Sequence, residues 1–250
     1  MDVAIVMLFT ILTLFVLFAA LSVLLWAGAL LLQGWLYETP APQLYWRAPA
    51  VAAGITLFLA VWVFADCHTG GRVRPLHQTS VWETKPYPTL KAVLTPKGPE
   101  ETFTRVGSAD QRLDYRQDGR RDGKALPARP EKVIVDDGGA AVAFEPERDA
   151  QGHFRTQPGE NLRYLDPAGR VMMEGELGEV SQFHWDVMLL NVLFNVLHLA
   201  LWFAGLWLVL RFQWAHALGF AVCLWLVMTL LPVPMVLDYA QQAFHVATVK

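Results

Sequence analysis

The sequence VAIVMLFTILTLFVLFAALSVLLWAGALLL, residues 3–32, decides the fold, because no charged residue interrupts it. A helix needs roughly 20 apolar residues to cross the hydrocarbon core of a bilayer. The stretch therefore predicts a transmembrane helix, and its extra length predicts a helix that tilts or projects. Met1 and Asp2 supply no basic region before it, so we expect a retained span rather than a cleavable signal peptide.

Three further stretches are equally free of Asp, Glu, Lys and Arg: residues 48–65, 187–210 and 214–231. Pro232 and Pro234 follow the last stretch, and we expect them to bend or end its helix. An open strand or loop cannot cross lipid, because its backbone groups would lack hydrogen-bond partners. The sequence therefore predicts four transmembrane helices.

The charged residues are concentrated in the middle of the chain. Between Cys67 and Trp185 lie 17 of the 20 Lys and Arg and 18 of the 23 Asp and Glu. This partition predicts an α-helical multi-pass membrane protein, with four transmembrane helices as two hairpin pairs and an inserted, mainly-β extramembrane domain. The expected parts are helices 1 and 2 in residues 1–66, the β-rich domain with its N-terminal linker in 67–185, helices 3 and 4 in 186–232, and an amphipathic tail in 233–250. The balanced charge of the domain gives no electrostatic sign of a nucleic-acid partner.

The two ends of the predicted spans differ in character, which orients the chain. One end carries an aromatic belt and two arginines: Trp35, Tyr37, Tyr45, Trp46, Arg47, Arg211 and Trp214. The other end carries Asp2, Asp66, Asp186 and Asp238. With an even number of spans, both termini and the domain share the acidic side. Counted on the short loops, the positive-inside rule favours an extracytoplasmic domain on a bacterial-type inner membrane, although Arg72 and Arg74 oppose it.

The middle segment has the pattern of a β-meander. Residues 70–88 are rich in Pro, Gly, Thr and His, and we expect a linker that leads out of the membrane. Residues 132–136 and 140–144 flank Asp-Asp-Gly-Gly, which is typical of a hairpin turn.

A second hairpin is predicted around the turn at residues 166–169, with Leu162 and Tyr164 facing Val171 and Met173. Its order Tyr-x-Asp-x-x-Gly-Arg-Val, residues 164–171, resembles the hairpins of tyrosine–aspartate repeats. The resemblance covers one hairpin and implies its local shape only.

The tail after Pro234 has apolar residues at helical spacing: Met235, Val236, Tyr239, Ala240, Ala243, Phe244 and Ala247. This pattern predicts either a helix lying in the membrane interface or a continuation of the fourth helix along the domain.

The third predicted span contains the candidate binding residues. We name them the polar stripe, and they are Asn191, Asn195, His198 and Trp202. They fall within about 60° of helical arc, and polar side chains at membrane depth are costly and often functional. One interpretation is hydrogen bonding to a neighbouring helix, for instance to Thr56 or Cys223. The alternatives are a haem, quinone or proton-relay site and an interface with another subunit.

Other patterns are weaker. Three small-residue pairs predict helix contacts: Ala50 with Gly54, Ala200 with Ala204, and Ala215 with Gly219. Two charged groups are expected to be solvated: the carboxylates Glu145, Glu147 and Asp149, whose spacing misses a calcium loop, and the basic loop of Arg116, Arg120, Arg121 and Lys124. We expect no metal site, and no second His lies at the depth of His198 to complete a bis-histidine haem site within one copy.

The motifs of nucleotide binding and hydrolysis, such as the P-loop, H-E-x-x-H and G-x-S-x-G, are missing from the sequence. Our first hypothesis is therefore a non-catalytic membrane subunit or scaffold, whose β-rich domain contacts a partner protein or a second copy. The first alternative is a redox subunit that binds haem b or quinone at the polar stripe. The second is a sensor or transporter component, which the lack of charged pairs within the spans makes less attractive.

Overall fold

The computed structural model describes residues 3–106, 114–117, 119, 123–127, 129–155 and 161–248, except for the side chains of 3–7, 114, 243 and 245–248. The chain forms two compact units, Met1–Ser80 with Trp185–Lys250, and Val81–His184. Of residues 70–88, which we expected to lead out of the membrane, residues 70–80 belong to the first, helical unit.

The helical unit is built from five α-helices in its described residues: α1 (Val3–Tyr37), α2 (Leu44–His68), α3 (Trp185–Ala204), α4 (Trp214–Leu230) and α5 (Pro232–Thr248). Four stretches of them are long and apolar enough to cross a membrane: Leu8–Tyr37, Leu44–His68, Trp185–Val209 and Trp214–Gln242. The four predicted apolar helices are thus confirmed. Helix α1 contacts α2 and α5, and α3 contacts α4.

Two local breaks shape these helices. Gly205–Val209 continues α3 as a π-helical turn, and the Leu210 N–H donates to the Gly205 carbonyl at 2.9 Å. A Cβ on Gly205 would stand 2.7 Å from Val51 Cγ1, so glycine is what allows α3 to approach α2 this closely. Leu231 separates α4 from α5, because the following Pro232 cannot donate a helical hydrogen bond.

Helix α5 packs on α1, α2 and α4. Its buried apolar residues are Val233, Val236, Leu237 and Ala240. Of the predicted apolar stripe, Val236 and Ala240 are buried, whereas Met235, Tyr239 and Phe244 are exposed; the side chains of Ala243 and Ala247 lie outside the described residues. The amphipathic tail, as a helix in the interface or as a continuation of the fourth helix, stays a prediction.

The second unit is an antiparallel sheet of nine described strands: β1 (Trp82–Pro86), β2 (Thr89–Val93), β3 (Glu100–Val106), β4 (Asp114–Gln117), β5 (Lys132–Asp137), β6 (Ala140–Pro146), β7 (Arg163–Leu165), β8 (Val171–Met173) and β9 (Glu179–Phe183). Their order in the sheet is β1-β9-β8-β7-β6-β5-β2-β3-β4.

The connection between β1 and β2 requires this sheet to curl into a half-barrel. Only Tyr87 and Pro88 join the two strands, yet the strands lie six positions apart in the sheet. Two residues bridge at most about 11 Å, whereas six strand spacings in a flat sheet cover about 29 Å. The hydroxyl of Tyr115 on β4 donates to the Tyr87 carbonyl and so ties the far edge to the same corner. The curl encloses an apolar core: Leu90, Ala92, Phe103, Val133, Val135, Phe144, Tyr164, Met172 and Val180.

Both predicted hairpins form. In the first, Gly138 and Gly139 have φ of 67° and 92°, and Asp136 Oδ1 accepts the Gly139 N–H at 2.7 Å. In the second, the predicted facing was wrong by one residue. Tyr164 pairs with Met172, both fully buried, because Arg170 belongs to the connection and not to β8.

Candidate functional site

The chain that leaves α2 turns back into the helical unit before it reaches the sheet. Gly70 and Gly71 have φ of 68° and 86°, a conformation that favours glycine and reverses the chain direction. The Gly71 N–H donates to the Asp66 carbonyl at 2.8 Å. Val73 is buried, and its carbonyl accepts the indole N–H of Trp62 at 2.8 Å. From here on, the linker means residues 70–75, the first part of the predicted segment 70–88.

Two asparagines of the polar stripe hold this linker by its backbone. Asn191 Oδ1 accepts the Arg74 N–H at 2.7 Å, and Asn191 Nδ2 donates to the Arg72 carbonyl at 3.0 Å. Asn195 Nδ2 donates to the Asn191 carbonyl at 2.8 Å and to the Arg74 carbonyl at 3.4 Å. One amide thus satisfies a donor and an acceptor of a non-helical segment. That pairing is what buried irregular backbone requires, because an unpaired backbone group removed from solvent is costly.

The Arg74 side chain is held by two acidic residues from different helices. Its Nε lies 3.2 Å from Asp66 Oδ1 on α2, and Nη1 pairs with Asp238 on α5. Nη2 donates to Gln241 Oε1 at 2.9 Å. The Asp66 side chain is fully buried and that of Arg74 is 11% exposed, so either charge without the other would be strongly destabilising. The contacts of Arg74 with Asp66 and Asp238 therefore hold the linker against α2 and α5.

His198 lies deeper in the stripe, within an aromatic cluster. Its Nε2 accepts the Trp202 indole N–H at 3.0 Å, so the neutral ring carries its own proton on Nδ1. The ring stacks on Phe58 and meets Trp62 edge to face, with centroid distances of 5.9 and 5.8 Å. Nδ1 is buried and has no hydrogen-bond partner among the described residues. This N–H and the Asn195 Oδ1 are the two buried polar groups of the stripe that have no hydrogen bond among the described residues.

A second set of polar contacts closes the opposite end of the helical unit. Gln33 Nε2 donates to the Leu210 carbonyl at 2.6 Å, and Gln33 Oε1 accepts the Ala41 N–H at 2.7 Å. The hydroxyl of Tyr37 lies 2.7 Å from Nδ1 of His216. These contacts join α1 to the connection between α3 and α4 and to the first turn of α4.

The sequence predicted the shared buried face of the stripe but not its partner. All four stripe residues are buried, and Val187 is the only other buried residue of α3. The suggested partners are not used, since Thr56 Oγ1 has no hydrogen bond among the described residues and Cys223 is exposed.

Four functional side chains were missed: Asp66, Arg74, Asp238 and Gln241. The available signal was Arg72 and Arg74, which follow the second span and opposed the expected topology.

The weaker sequence patterns have local structural roles. Ala50, Gly54, Ala200, Ala215 and Gly219 are exposed, so the predicted small-residue contacts are not made within this chain's described residues. The carboxylate series forms surface ion pairs, with Glu147 held by Arg155 and Arg163. In the basic loop, Arg116 donates to the Gly123 carbonyl and Lys124 pairs with Glu101, while Arg120 and Arg121 lie outside the described residues.

The sheet has its own charged network at Asp137. Lys85 Nζ lies 2.6 Å from Asp137 Oδ1, and Arg170 Nη1 lies 2.7 Å from Oδ2. These hydrogen bonds, that from Lys85 first, lower the pKa of Asp137 from 3.8 to about 2. The network joins edge strand β1 to β5 and to the β7–β8 turn, across the curl of the sheet.

The residues that the structure describes contain no cluster of three or more His, Cys, Asp or Glu able to hold a metal ion. No protein-family model, no curated protein and no solved structure matches the chain.

Proposed function

We propose that the chain is an integral membrane protein whose four apolar helices span a bacterial-type inner membrane as two hairpins. Short connections, 38–43 and 210–213, support this pairing, and Arg47 and Arg211 beside them favour a cytoplasmic location for those turns. The sheet and both termini then share the extracytoplasmic side.

Within that membrane, we propose a non-catalytic subunit or scaffold that presents its β-rich domain to a partner protein. One observation carries this proposal: both polar atoms of the Asn191 amide are hydrogen-bonded to the backbone of the linker. Polar groups at membrane depth that hold the protein's own chain serve architecture, and they are not left to bind a substrate. The polar part of the helical unit therefore anchors the start of the chain segment that continues into the sheet.

Strand β1 is the docking element that the sheet offers. It forms one end of the sheet order, pairs only with β9 among the described strands, and all five of its residues are exposed. An unpaired strand edge supplies backbone donors and acceptors for a strand of a second protein. We therefore place the partner along β1.

The test is photo-crosslinking in native membranes from a reactive residue placed at Thr84. Lys91 is the matched control, because it is exposed on β2, which has strand neighbours on both sides. We expect a protein adduct from position 84 and none from 91, and its mass distinguishes a partner from a second copy. No adduct at 84, together with a clean monomer in native mass measurement, would contradict the scaffold role.

The second candidate is the redox subunit, and the unpartnered Nδ1 of His198 is the observation that favours it. An absorbance spectrum and an organic extract of the purified protein test it directly. Neither a Soret band nor a quinone would be found if the scaffold proposal is correct.

A further inference from the structure

An apolar cavity lies inside the helical unit between α1, α3 and α4. Its volume is about 220 Å³, and carbon atoms form almost all of its wall. The wall includes Leu24, Gly28, Trp202, Leu206, Phe220 and Cys223. Apolar cavities of about 150 Å³ in protein interiors stay free of water and bind small hydrocarbons. The space between α1, α3 and α4 is open on one side, but its wall offers almost no polar partners, so it is suited to hydrocarbon.

This cavity reaches the outer surface of the helices. Leu24 and Cys223, which line it, are exposed, and Leu24 is 67% exposed. On the inner side, Trp202 donates its indole N–H to His198, so that group is not available to a ligand. A polar ring bound in the cavity would lose its hydrogen bonds to water without replacement.

An exposed cationic residue lies in sequence between two residues that line the cavity. Leu210 and Phe212 are buried and line it, and Arg211 between them is exposed. Arginine is a preferred partner of phosphate, because its guanidinium donates two parallel hydrogen bonds. A carbon-lined space whose wall includes both chain neighbours of an exposed arginine matches the two parts of a phospholipid.

We infer that one acyl chain of a bilayer phospholipid occupies this cavity, with the phosphate of that lipid at Arg211. The inference rests on the proposed location of the helices in a membrane. It extends that proposal by assigning a specific lipid site between α1 and the second pair of helices.

The test fills the cavity without disturbing its walls. A Cβ on Gly28 would meet no heavy atom within 4 Å, so Gly28→Leu adds its side chain into open space. Gly34→Leu is the matched control, because it lies on the same helix with equally open surroundings and does not line the cavity. Arg211→Asn removes the charge, and asparagine tolerates the φ of 62° found there.

Full-length protein is reconstituted in vesicles of phosphatidylglycerol with a diazirine in one acyl chain, illuminated, and analysed by mass spectrometry. We expect one lipid adduct per chain in the wild type and in Gly34→Leu, about tenfold less in Gly28→Leu, and a clear loss in Arg211→Asn. Equal labelling of Gly28→Leu would overturn the acyl-chain site, and equal labelling of Arg211→Asn would overturn the phosphate position. A quinone retained in the cavity by protein from native membranes would also overturn the inference.

The membrane location itself is checked separately by alkaline carbonate extraction of native membranes. Protein released into the soluble fraction would contradict the proposed function. Protein retained there, with Gly28→Leu labelled like the wild type, would contradict only the lipid site.

Discussion

Replacing Asn191 by leucine isolates the contact that holds the linker. In the native chain, Asn191 accepts the Arg74 N–H at 2.7 Å and donates to the Arg72 carbonyl at 3.0 Å. Leucine has a similar size but leaves both backbone groups without a partner. Each buried backbone group left unpaired costs about 1–3 kcal/mol, so detachment of the linker becomes easier by about 2–6 kcal/mol. Hydrogen bonds between membrane helices average only about 0.6 kcal/mol, because their separated state finds other partners in lipid. The cost of about 1–3 kcal/mol per group applies here, because the backbone groups of the detached linker are hydrated by water and lose that hydration when the linker docks without Asn191.

The assay is limited trypsin digestion of the full-length protein in micelles, followed at the bond after Arg72. Arg72 is exposed and Val73 is buried, so we expect cleavage to require linker detachment. When opening is fast, cleavage follows the open population, and 2 kcal/mol raises that population about 30-fold. Val192→Leu is the control, because Val192 is the exposed neighbour of Asn191. A cleavage rate in Asn191→Leu equal to that of Val192→Leu, with native circular dichroism, would refute the role given to Asn191.

Two further perturbations test other contacts. The pKa of Asp137 is about 2 in the fold and lies below its ordinary 3.8, so the stabilisation by ionised Asp137 is present above about pH 4 and is lost as the pH falls towards 2. Asp137→Asn should therefore remove this acid dependence from the thermal unfolding of the sheet. An unchanged dependence would show that another group causes it. Gly205→Ala should destabilise the helical unit by about 1–3 kcal/mol in micelles, because its Cβ meets Val51, whereas Gly54→Ala meets nothing and should be neutral or slightly stabilising. Restoration of stability by Val51→Ala in the Gly205→Ala background would identify the clash as the cause.

The apolar helices were predictable because length and lack of charge are sufficient to identify a possible span. The buried face of each helix was less predictable, because lipid and protein interior favour the same side chains. Helix α4 shows this clearly: the predicted pair Ala215 and Gly219 is exposed, and the contact uses Ala217 and Ala221 instead. In α3 the polar residues identified the buried face correctly, since asparagine and histidine avoid lipid more strongly than leucine prefers protein.

The contact between the stripe and the linker could not be derived from sequence. Asn191 and Arg74 are 117 residues apart, and nothing in the glycine-rich linker indicates that its backbone returns to the helices. The second hairpin forms, but its predicted pairing was wrong by one residue, because one additional residue in a turn changes every pair beyond it. Local patterns therefore predicted the elements, while contacts across long sequence separations required the structure.

The contacts that Asn191 and Asp238 make with the linker also constrain the order in which the protein can be assembled during synthesis. Arg74 emerges from the ribosome 117 residues before Asn191 and 164 residues before Asp238. At about 5–20 residues per second, the first two helices wait on the order of ten seconds for the groups that complete their buried contacts. During that interval Arg74 can contact Asp66 and the Gly71 carbonyl but not Asn191, Asp238 or Gln241. The second pair of helices thus acts as the closing step of biogenesis, and truncated chains that end after the sheet should be substrates for membrane quality control.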